Sequence, residues 1–297
     1  MEDTKEQLSI KRCITGFIFG IIAFACIVFG SFALLALLAI VIIIASKEYV
    51  QILRMKGFHP SFSVIVAVGL LLCVAVAINR IDLLPSILVL GTIASFLIVL
   101  FMGRQPYIAN VATTALGFMY GALLPVHIIL LRQISNNTTL YGLDEGAFLA
   151  MVVFFCVLVT DTAAYFGGKR FGAHKLSYVI SPKKTVEGAV IGGVCAILIA
   201  LPWTYCTGLS LIQCAIGGLI ITVAAQLGDL SESLIKRDAG VKDSSNILPG
   251  HGGFLDRSDS YIFALPVAYY YFLGCINGNT FFSELWQSLM SFINVSI

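Results

Sequence analysis

Charge is scarce in this chain of 297 residues, since Asp, Glu, Lys and Arg together make up only 11% of it. Apolar residues make up 59%, well above the share found in soluble globular domains. The alternation of polar and apolar residues that marks membrane β-strands is also missing. These properties exclude an ordinary soluble enzyme. They predict an all-α polytopic integral membrane protein.

Several familiar motifs are absent as well. The eight cysteines include no C-x-x-C pair and lie in or beside apolar runs, so we interpret them as small packing residues. Neither G-x-x-x-x-G-K-[ST] nor a helix-opening G-x-G-x-x-G occurs, which excludes a P-loop or Rossmann nucleotide site. The net charge of +2 identifies no partner, and we expect no nucleic acid to bind.

Apolar runs predict about nine transmembrane helices. The first two form a tight hairpin within residues 13–46 that turns near Gly30 and Ser31. The other seven predicted helices cover residues 62–77, 84–102, 109–131, 146–160, 189–204, 211–227 and 261–275. The tail to Ile297 is either an interfacial helix or a tenth span. We divide the chain into an N-terminal scaffold and dimerisation region, 1–135, and a C-terminal catalytic region, 136–297.

The basic residues predict the orientation of these helices. With the N-terminus inside, nine spans place 16 of the 18 Lys and Arg residues on one side of the membrane. Only Arg80 and Arg132 lie on the other side. Because basic loops stay in the cytoplasm, we expect a multi-pass protein of the cell (inner) membrane. Its catalytic loops and active site would then face the cytoplasm, where nucleoside triphosphates are found.

The segment 233–259 departs most strongly from the apolar background, with nine ionisable side chains in 27 residues. It also contains the run Pro249-Gly250-His251-Gly252-Gly253. Glycines allow a backbone to approach a ligand closely, because no Cβ stands in the way. His251 either contacts phosphate, transfers a proton or has a structural role. The segment thus combines acids that can bind a metal, bases that can bind phosphate and a glycine-rich bend. This combination indicates phosphoryl chemistry.

A helix leaving the membrane over residues 226–240 would carry its polar side chains on one face. These side chains are Asp229, Glu232, Ser233, Lys236 and Arg237. Such a face must contact protein or a water-filled cavity, because lipid would penalise it. The alternative, a helix end emerging into solvent, stays open for Glu232 and Arg237.

Acids and bases of this region divide into two candidate roles. Carboxylates bind Mg²⁺ together with phosphate oxygens and water, and the candidates are Asp229, Asp243, Asp256 and Asp259. Cations neutralise phosphates, and the candidates are Lys236, Arg237, Lys242 and Arg257. The alternative is a network of surface salt bridges, which would not require the glycine-rich bend.

A second polar segment runs from Asp161 to Glu187. Lys183 and Lys184 follow Ser181-Pro182 at the predicted start of a helix, whose free N–H groups also favour anions. Thr185 or Ser181 would cap this helix. The alternative is a positive-inside anchor, which by itself would explain the lysines.

These residues resemble the phosphatidate cytidylyltransferases, also called CDP-diacylglycerol synthases. The family pattern S-x-φ-K-R-x4-K-D-x-S-x2-φ-P-x-H-G-G-φ-x-D-R-φ-D maps onto residues 233–259 of this chain. Ser258 departs from it, since the family usually has an apolar residue or Thr there. The segment S-P-K-K-T-x-E-G from Ser181 to Gly188 is also similar to the family's, and the order of apolar runs agrees over most of the chain.

The resemblance implies that CTP and phosphatidic acid react to give CDP-diacylglycerol and pyrophosphate in the lipid bilayer. It implies Mg²⁺ at Asp229 and Asp256, with K⁺ as a candidate second ion, and a homodimer. We expect catalytic roles for Lys236, Arg237, Lys242, Asp243, His251, Arg257 and Asp259. We expect substrate-binding roles for Ser181, Lys183, Lys184, Ser233, Ser245, Gly252 and Gly253.

Two other classes of protein remain as alternatives. One is a different lipid head-group enzyme, such as a polyprenol kinase or an archaeal-type lipid cytidylyltransferase, which substrate tests would distinguish. The other is a transporter or channel. A transporter would carry charges near mid-membrane in broken or repeated spans, whereas the charges here cluster at one membrane face.

Overall fold

The computed structural model describes residues 2–135, 137, 142–245 and 252–278, with side chains from residue 16 onwards except that of residue 31. The helices are α1 (Glu2–Phe29), α2 (Ser31–Met55), α3 (Phe62–Ala77), α4 (Leu84–Met102), α5 (Tyr107–Phe118), α6 (His127–Arg132), α7 (Glu145–Phe171), α8 (Val186–Ala200), α9 (Thr204–Thr207), α10 (Leu211–Asp238) and α11 (Leu255–Ile276). Over the described ranges there is no β-sheet, and an isolated bridge pairs Lys175 with Thr185.

Within the described ranges, six helical stretches are long and apolar enough to cross a membrane. They are Phe32–Met55, Ile81–Met102, Tyr107–Arg132, Glu145–Phe171, Val186–Thr207 and Leu211–Asp238. Two shorter apolar helices, Gly16–Phe29 and Phe62–Ala77, accompany them. The prediction of an all-helical protein with many membrane helices is confirmed, and α3 and α4 begin and end where the apolar runs do.

The turn of the N-terminal hairpin also lies where it was predicted. Gly30 separates α1 from α2 with a φ of +72°, a left-handed conformation that side chains disfavour. Arg132 fastens this turn to the rest of the molecule, because its Nε donates to the carbonyl of Ile27 at 3.2 Å. The same guanidinium pairs with Asp144, whose carboxylate caps α7.

Helix α7 is longer than predicted. The apolar run suggested an end at Thr160, but α7 continues to Phe171. The paired glycines Gly167 and Gly168 do not break it, because they let α8 approach closely. A Cβ added at Gly168 would meet the Thr185 hydroxyl at 2.7 Å. Close packing therefore overrides the weak helix propensity of glycine at these positions.

Helices α7, α8, α10 and α11 form the bundle that carries the polar segments. Inside it, the hydroxyls of Thr160 and Thr222 are hydrogen-bonded at 2.9 Å between α7 and α10. A Cβ at Gly228 would collide with the backbone oxygen of Asp259 at 2.5 Å, so α10 and α11 also lie close together. The C-terminal part of α10 and the first turns of α11 consequently share one end of the bundle.

Candidate active site

Lys236 lies at the centre of the polar site. Its ammonium contacts two carboxylates, those of Glu232 one turn earlier in α10 and Asp256 at the start of α11. Glu232 is completely buried, and Lys236 is 8% exposed. The alternative that Glu232 emerges into solvent is therefore wrong. Its helix face packs against α11, and burial of a charge requires the partner that Lys236 supplies.

Asp256 is held by donors on both of its oxygens. One oxygen accepts from Lys236. The other accepts from the Gly253 amide at 2.7 Å and from the Ser244 amide and hydroxyl at 2.9 and 2.8 Å. Burial raises the pKa of Asp256, but the hydrogen bonds from Lys236, Gly253 and Ser244 lower it, and the net result lies below its ordinary value. The carboxylate is thus kept ionised.

Asp229 has a different cationic partner. Its carboxylate forms an ion pair with Lys184, from the loop before α8, and lies 3.5 Å from the Ser233 hydroxyl. The two segments singled out in the sequence therefore meet in the folded protein. Thr185 caps α8, as one of the two predicted capping residues, by accepting from the Gly188 amide at 3.2 Å. The Glu187 carboxylate stabilises the same loop through hydrogen bonds with the backbone amide and the ring of His174.

A further pair of acids lies beside α11. Asp259 is 7% exposed and accepts a hydrogen bond from the Ser260 amide at 2.6 Å. The Ser260 hydroxyl approaches Asp161 of α7 at 3.3 Å. Asp259 also lies within electrostatic range of Asp229 and Glu232. Acids from three helices thus gather where only a few basic groups balance them.

This cluster suits a hard divalent cation in charge and donor type. Carboxylate oxygens are the ligands that Mg²⁺ prefers, and the cluster supplies them from Asp161, Asp229, Glu232, Asp256 and Asp259. In the described part of the chain, however, no three His, Cys, Asp or Glu side chains surround one point. Asp229 and Asp256 each contact a lysine instead, so their joint metal site stays a prediction.

An apolar cavity of about 780 Å³ opens between α1, α2, α6, α7 and α11. Its lining is mostly aliphatic and aromatic, but it also includes Asp161, Thr162, Arg257 and Ser258. Its volume is within the range of roughly 300–1,000 Å³ found for small-molecule sites. Arg257 follows Asp256 directly in α11, so the cavity wall and the charged site share one turn of helix.

The remaining predicted residues lie around this centre. Arg237 is exposed and donates to the backbone oxygens of Ile180 and Val241, both at 3.3 Å. Lys183, Lys242 and Asp243 are exposed, and the Ser181 carbonyl accepts from the Lys184 amide at 3.2 Å. Gly252 has a φ of +79°, and Gly253 is buried. His251 lies outside the described residues, so its proposed role stays a prediction.

Sequence reasoning missed one residue of this region. Glu48, in α2, is completely buried and accepts hydrogen bonds from Ser244, Ser245, Phe254 and Leu255. In the sequence it belongs to a polar, partly amphipathic segment, 47–61. A single acid close behind an apolar run of more than 30 residues is the only local signal, and that pattern is equally typical of a helix end in solvent.

Comparisons with known proteins identify the family of this chain. The model of the cytidylyltransferase family matches residues 10–275. The chain is 34% identical to a phosphatidate cytidylyltransferase of Synechocystis sp. over 88% of its length and 95% of that protein. It is 33% identical to phosphatidate cytidylyltransferase 4, chloroplastic, of Arabidopsis thaliana over 91% of its length and 75% of that protein. A Staphylococcus aureus phosphatidate cytidylyltransferase is 47% identical over 42% of this chain and 48% of its own. The chain belongs to the cytidylyltransferase family.

Proposed function

We propose that this protein transfers the CMP group of CTP to phosphatidic acid. A phosphate oxygen of the lipid attacks the α-phosphorus of CTP, the bond from that phosphorus to the β-phosphate oxygen breaks, and pyrophosphate leaves. CDP-diacylglycerol remains in the bilayer. The observation that carries the proposal is the junction at Asp256-Arg257, where a charged site held by Lys236 borders an apolar cavity.

The chief obstacle to this reaction is repulsion between two anions. Phosphatidate is already ionised at neutral pH, so a strong base is not required. The cations of α10 and α11 can neutralise the approaching phosphates and hold them in line. Lys236 is already fixed by two carboxylates, which makes it a preorganised charge. Arg257, Arg237 and Lys242 add charges with access to ligands at the edge of the site.

The apolar cavity provides a place for the acyl chains of the lipid. Its walls come from five helices, α1, α2, α6, α7 and α11, and Arg257 is one of its few polar lining residues. An arginine binds a phosphate in a bidentate manner. A phosphatidate with its chains in the cavity would therefore present its head group beside Asp256 and Lys236. Lys183 and Lys184 are proposed to hold the lipid head group or the nucleotide.

Mg²⁺ is proposed as the cofactor, held by Asp229 and Asp256 with phosphate oxygens and water. When bound, the ion would offset the charge of the phosphates. The acid-rich surroundings support this choice, since Asp161, Glu232 and Asp259 supply further carboxyl groups near the two proposed ligands. K⁺ is the candidate second ion.

We further propose nine membrane spans, a homodimer and a site on the cytoplasmic side of the cell membrane. The distribution of Lys and Arg supports the orientation. Labelling of single cysteines by a membrane-impermeant maleimide in sealed vesicles tests it. A cysteine at exposed Lys242 should be accessible from the cytoplasmic side, whereas one at exposed Arg80 should be accessible only from the other side.

The reaction is tested with purified protein in detergent, phosphatidic acid, Mg²⁺ and CTP labelled at the α-phosphate. Label is expected to enter the lipid phase and to stop entering when the metal is chelated. With γ-labelled CTP no lipid should become labelled. Label in lipid only with a γ-labelled nucleotide and a prenol would overturn the proposal in favour of a lipid kinase.

Filling the cavity should weaken lipid binding specifically. Gly20 lines the cavity from α1, and a Cβ added there meets nothing within 4 Å. Gly20→Phe is therefore expected to raise the KM for phosphatidate by about tenfold, because a ring would occupy part of the space for the chains. The KM for CTP should change little. These constants are measured in mixed micelles at varied lipid fraction.

The matched control is Gly121→Phe. Gly121 likewise has open space around an added Cβ but lies outside the cavity lining. Its variant should keep both KM values. An unchanged KM for phosphatidate in folded Gly20→Phe would show that the acyl chains bind elsewhere.

A further inference from the structure

Glu48 is an unusual residue for the middle of an apolar helix face. Its carboxylate is completely buried. One oxygen accepts from the Ser245 hydroxyl at 2.5 Å and the Phe254 amide at 2.9 Å. The other accepts from the Leu255 amide at 2.7 Å and the Ser244 hydroxyl at 3.2 Å. Four donors from residues about 200 positions away thus converge on one side chain.

Two of these donors are the backbone N–H groups at the start of α11. The first N–H groups of a helix have no partner within the helix, and a negative charge there is favoured by the helix dipole. Phe254 is the N-cap residue of α11, and its side chain caps nothing. Glu48 therefore serves as a cap supplied by a different helix, and it sets where α11 begins.

The same contacts lead directly to the charged centre. Ser244 lies between two carboxylates, 3.2 Å from Glu48 and 2.8 Å from Asp256 at its hydroxyl, whose one proton is donated to either of them at a time. Gly253 is packed so tightly in between that an added Cβ would meet Glu48 at 2.7 Å. Asp256 in turn contacts Lys236. Any movement of Glu48 would be transmitted to Asp256 through two buried hydrogen-bonded steps.

A second contact joins the C-terminal end of α2 to the C-terminal end of α10. The ammonium of Lys56 lies 2.8 Å from the backbone oxygen and 2.5 Å from the carboxylate of Asp238, the last residue of α10. Helix α2 therefore binds both the end of α10 and the start of α11. These contacts cross the boundary that the sequence suggested between residues 1–135 and 136–297.

We propose that Glu48 is a positioning residue that holds residues 244–245 and 253–255 in the arrangement needed to present Asp256 and Lys236 to the substrates. The catalytic consequence rests on the proposed function. Helix α2 then belongs to the active-site assembly and also acts as a scaffold. Because the carboxylate acts through Asp256, its loss should lower turnover of enzyme that is still folded.

The first experiment compares Glu48→Gln with wild-type protein by hydrogen exchange. Glutamine keeps the shape of the side chain but replaces one acceptor oxygen with an N–H donor. Amides in peptides covering residues 252–260 should exchange at least about tenfold faster, while those of α4 and α8 stay unchanged. Glu145→Gln, the same substitution at the partly buried start of α7, is the matched control and should change neither.

The second experiment measures kcat and both KM values on the folded fraction of each variant. Glu48→Gln should lower kcat by roughly 10- to 100-fold, as expected for a residue that orients a catalytic group. Ser245→Ala, which removes a single donor to Glu48, should cause a smaller loss. The loss in the double variant should be less than the product of the two, because both substitutions break the same contact.

Unchanged exchange and unchanged kcat in folded Glu48→Gln would overturn the proposal. A stability role alone would reduce the amount of folded protein but leave kcat per folded molecule and the coupling to Ser245 unaffected. If Glu48→Gln does not fold, Ser245→Ala decides, since normal exchange at residues 252–260 in that variant would also overturn it. A wild-type protein that fails to label phosphatidate would remove the proposed function, and the exchange result would still decide the role of Glu48.

Discussion

Asp256→Asn is expected to lower the rate of cytidylyl transfer by on the order of 10²–10³-fold, the size seen when one preorganised polar group is removed from a reaction centre. Asp256 accepts hydrogen bonds from Lys236, Gly253 and Ser244. The amide nitrogen of asparagine is itself a donor, so in either orientation it faces at least one of them. The substitution also leaves Lys236 with Glu232 as its remaining described carboxylate partner.

The measurement is transfer of α-label from CTP to lipid by variant protein that elutes as the wild type does. Asp82→Asn is the matched control, because Asp82 forms an exposed ion pair with Arg80, and solvent screening leaves such a pair little effect on stability. It should keep full activity. Normal turnover in folded Asp256→Asn, or in folded Asp229→Asn, would refute the metal-binding role given to that residue.

Gly253→Ala should be nearly as damaging although it adds only one methyl group. The new Cβ would overlap the Ser244 hydroxyl and lie 2.7 Å from a Glu48 oxygen. Both of these atoms are buried and hydrogen-bonded, so moving either leaves a polar group without its partner at a cost of about 1–3 kcal/mol. We expect transfer to fall by about 100-fold and the thermal unfolding temperature in detergent to drop.

Gly121→Ala provides the comparison for this change. A Cβ at Gly121 meets nothing within 4 Å, so replacing it should leave both the rate and the unfolding temperature near wild-type values. Wild-type activity together with wild-type stability in Gly253→Ala would mean that residues 244 and 253 do not pack as described.

The apolar runs and the charged signature were readable along the chain because they depend on local composition. The start of α3 at Phe62, the end of α4 at Met102 and the turn at Gly30 follow from hydrophobic length and from backbone conformation alone. The polar face of α10 follows from the helical period. Burial of Glu232 does not, because whether a polar stripe meets solvent or another helix depends on what packs against it.

Pairing between distant segments could not be predicted in the same way. The sequence contains several acids and several bases, and any acid can attract any base. Charge alone therefore does not predict which residues form ion pairs. In the folded protein Lys184 pairs with Asp229, and Lys236 pairs with Asp256. These pairs form because close packing at small residues brings the loop before α8 and the start of α11 to α10.

By itself the sequence determined a membrane protein of many helices, a phosphoryl-transfer signature over residues 233–259 and the family to which it belongs. Only the tertiary structure decided that α2 takes part in the site and that Arg257 borders an apolar cavity. The physical reason is that burial and hydrogen bonding are properties of pairs of groups. Glu48 looks like any acid at a helix end until the amides of α11 are placed against it.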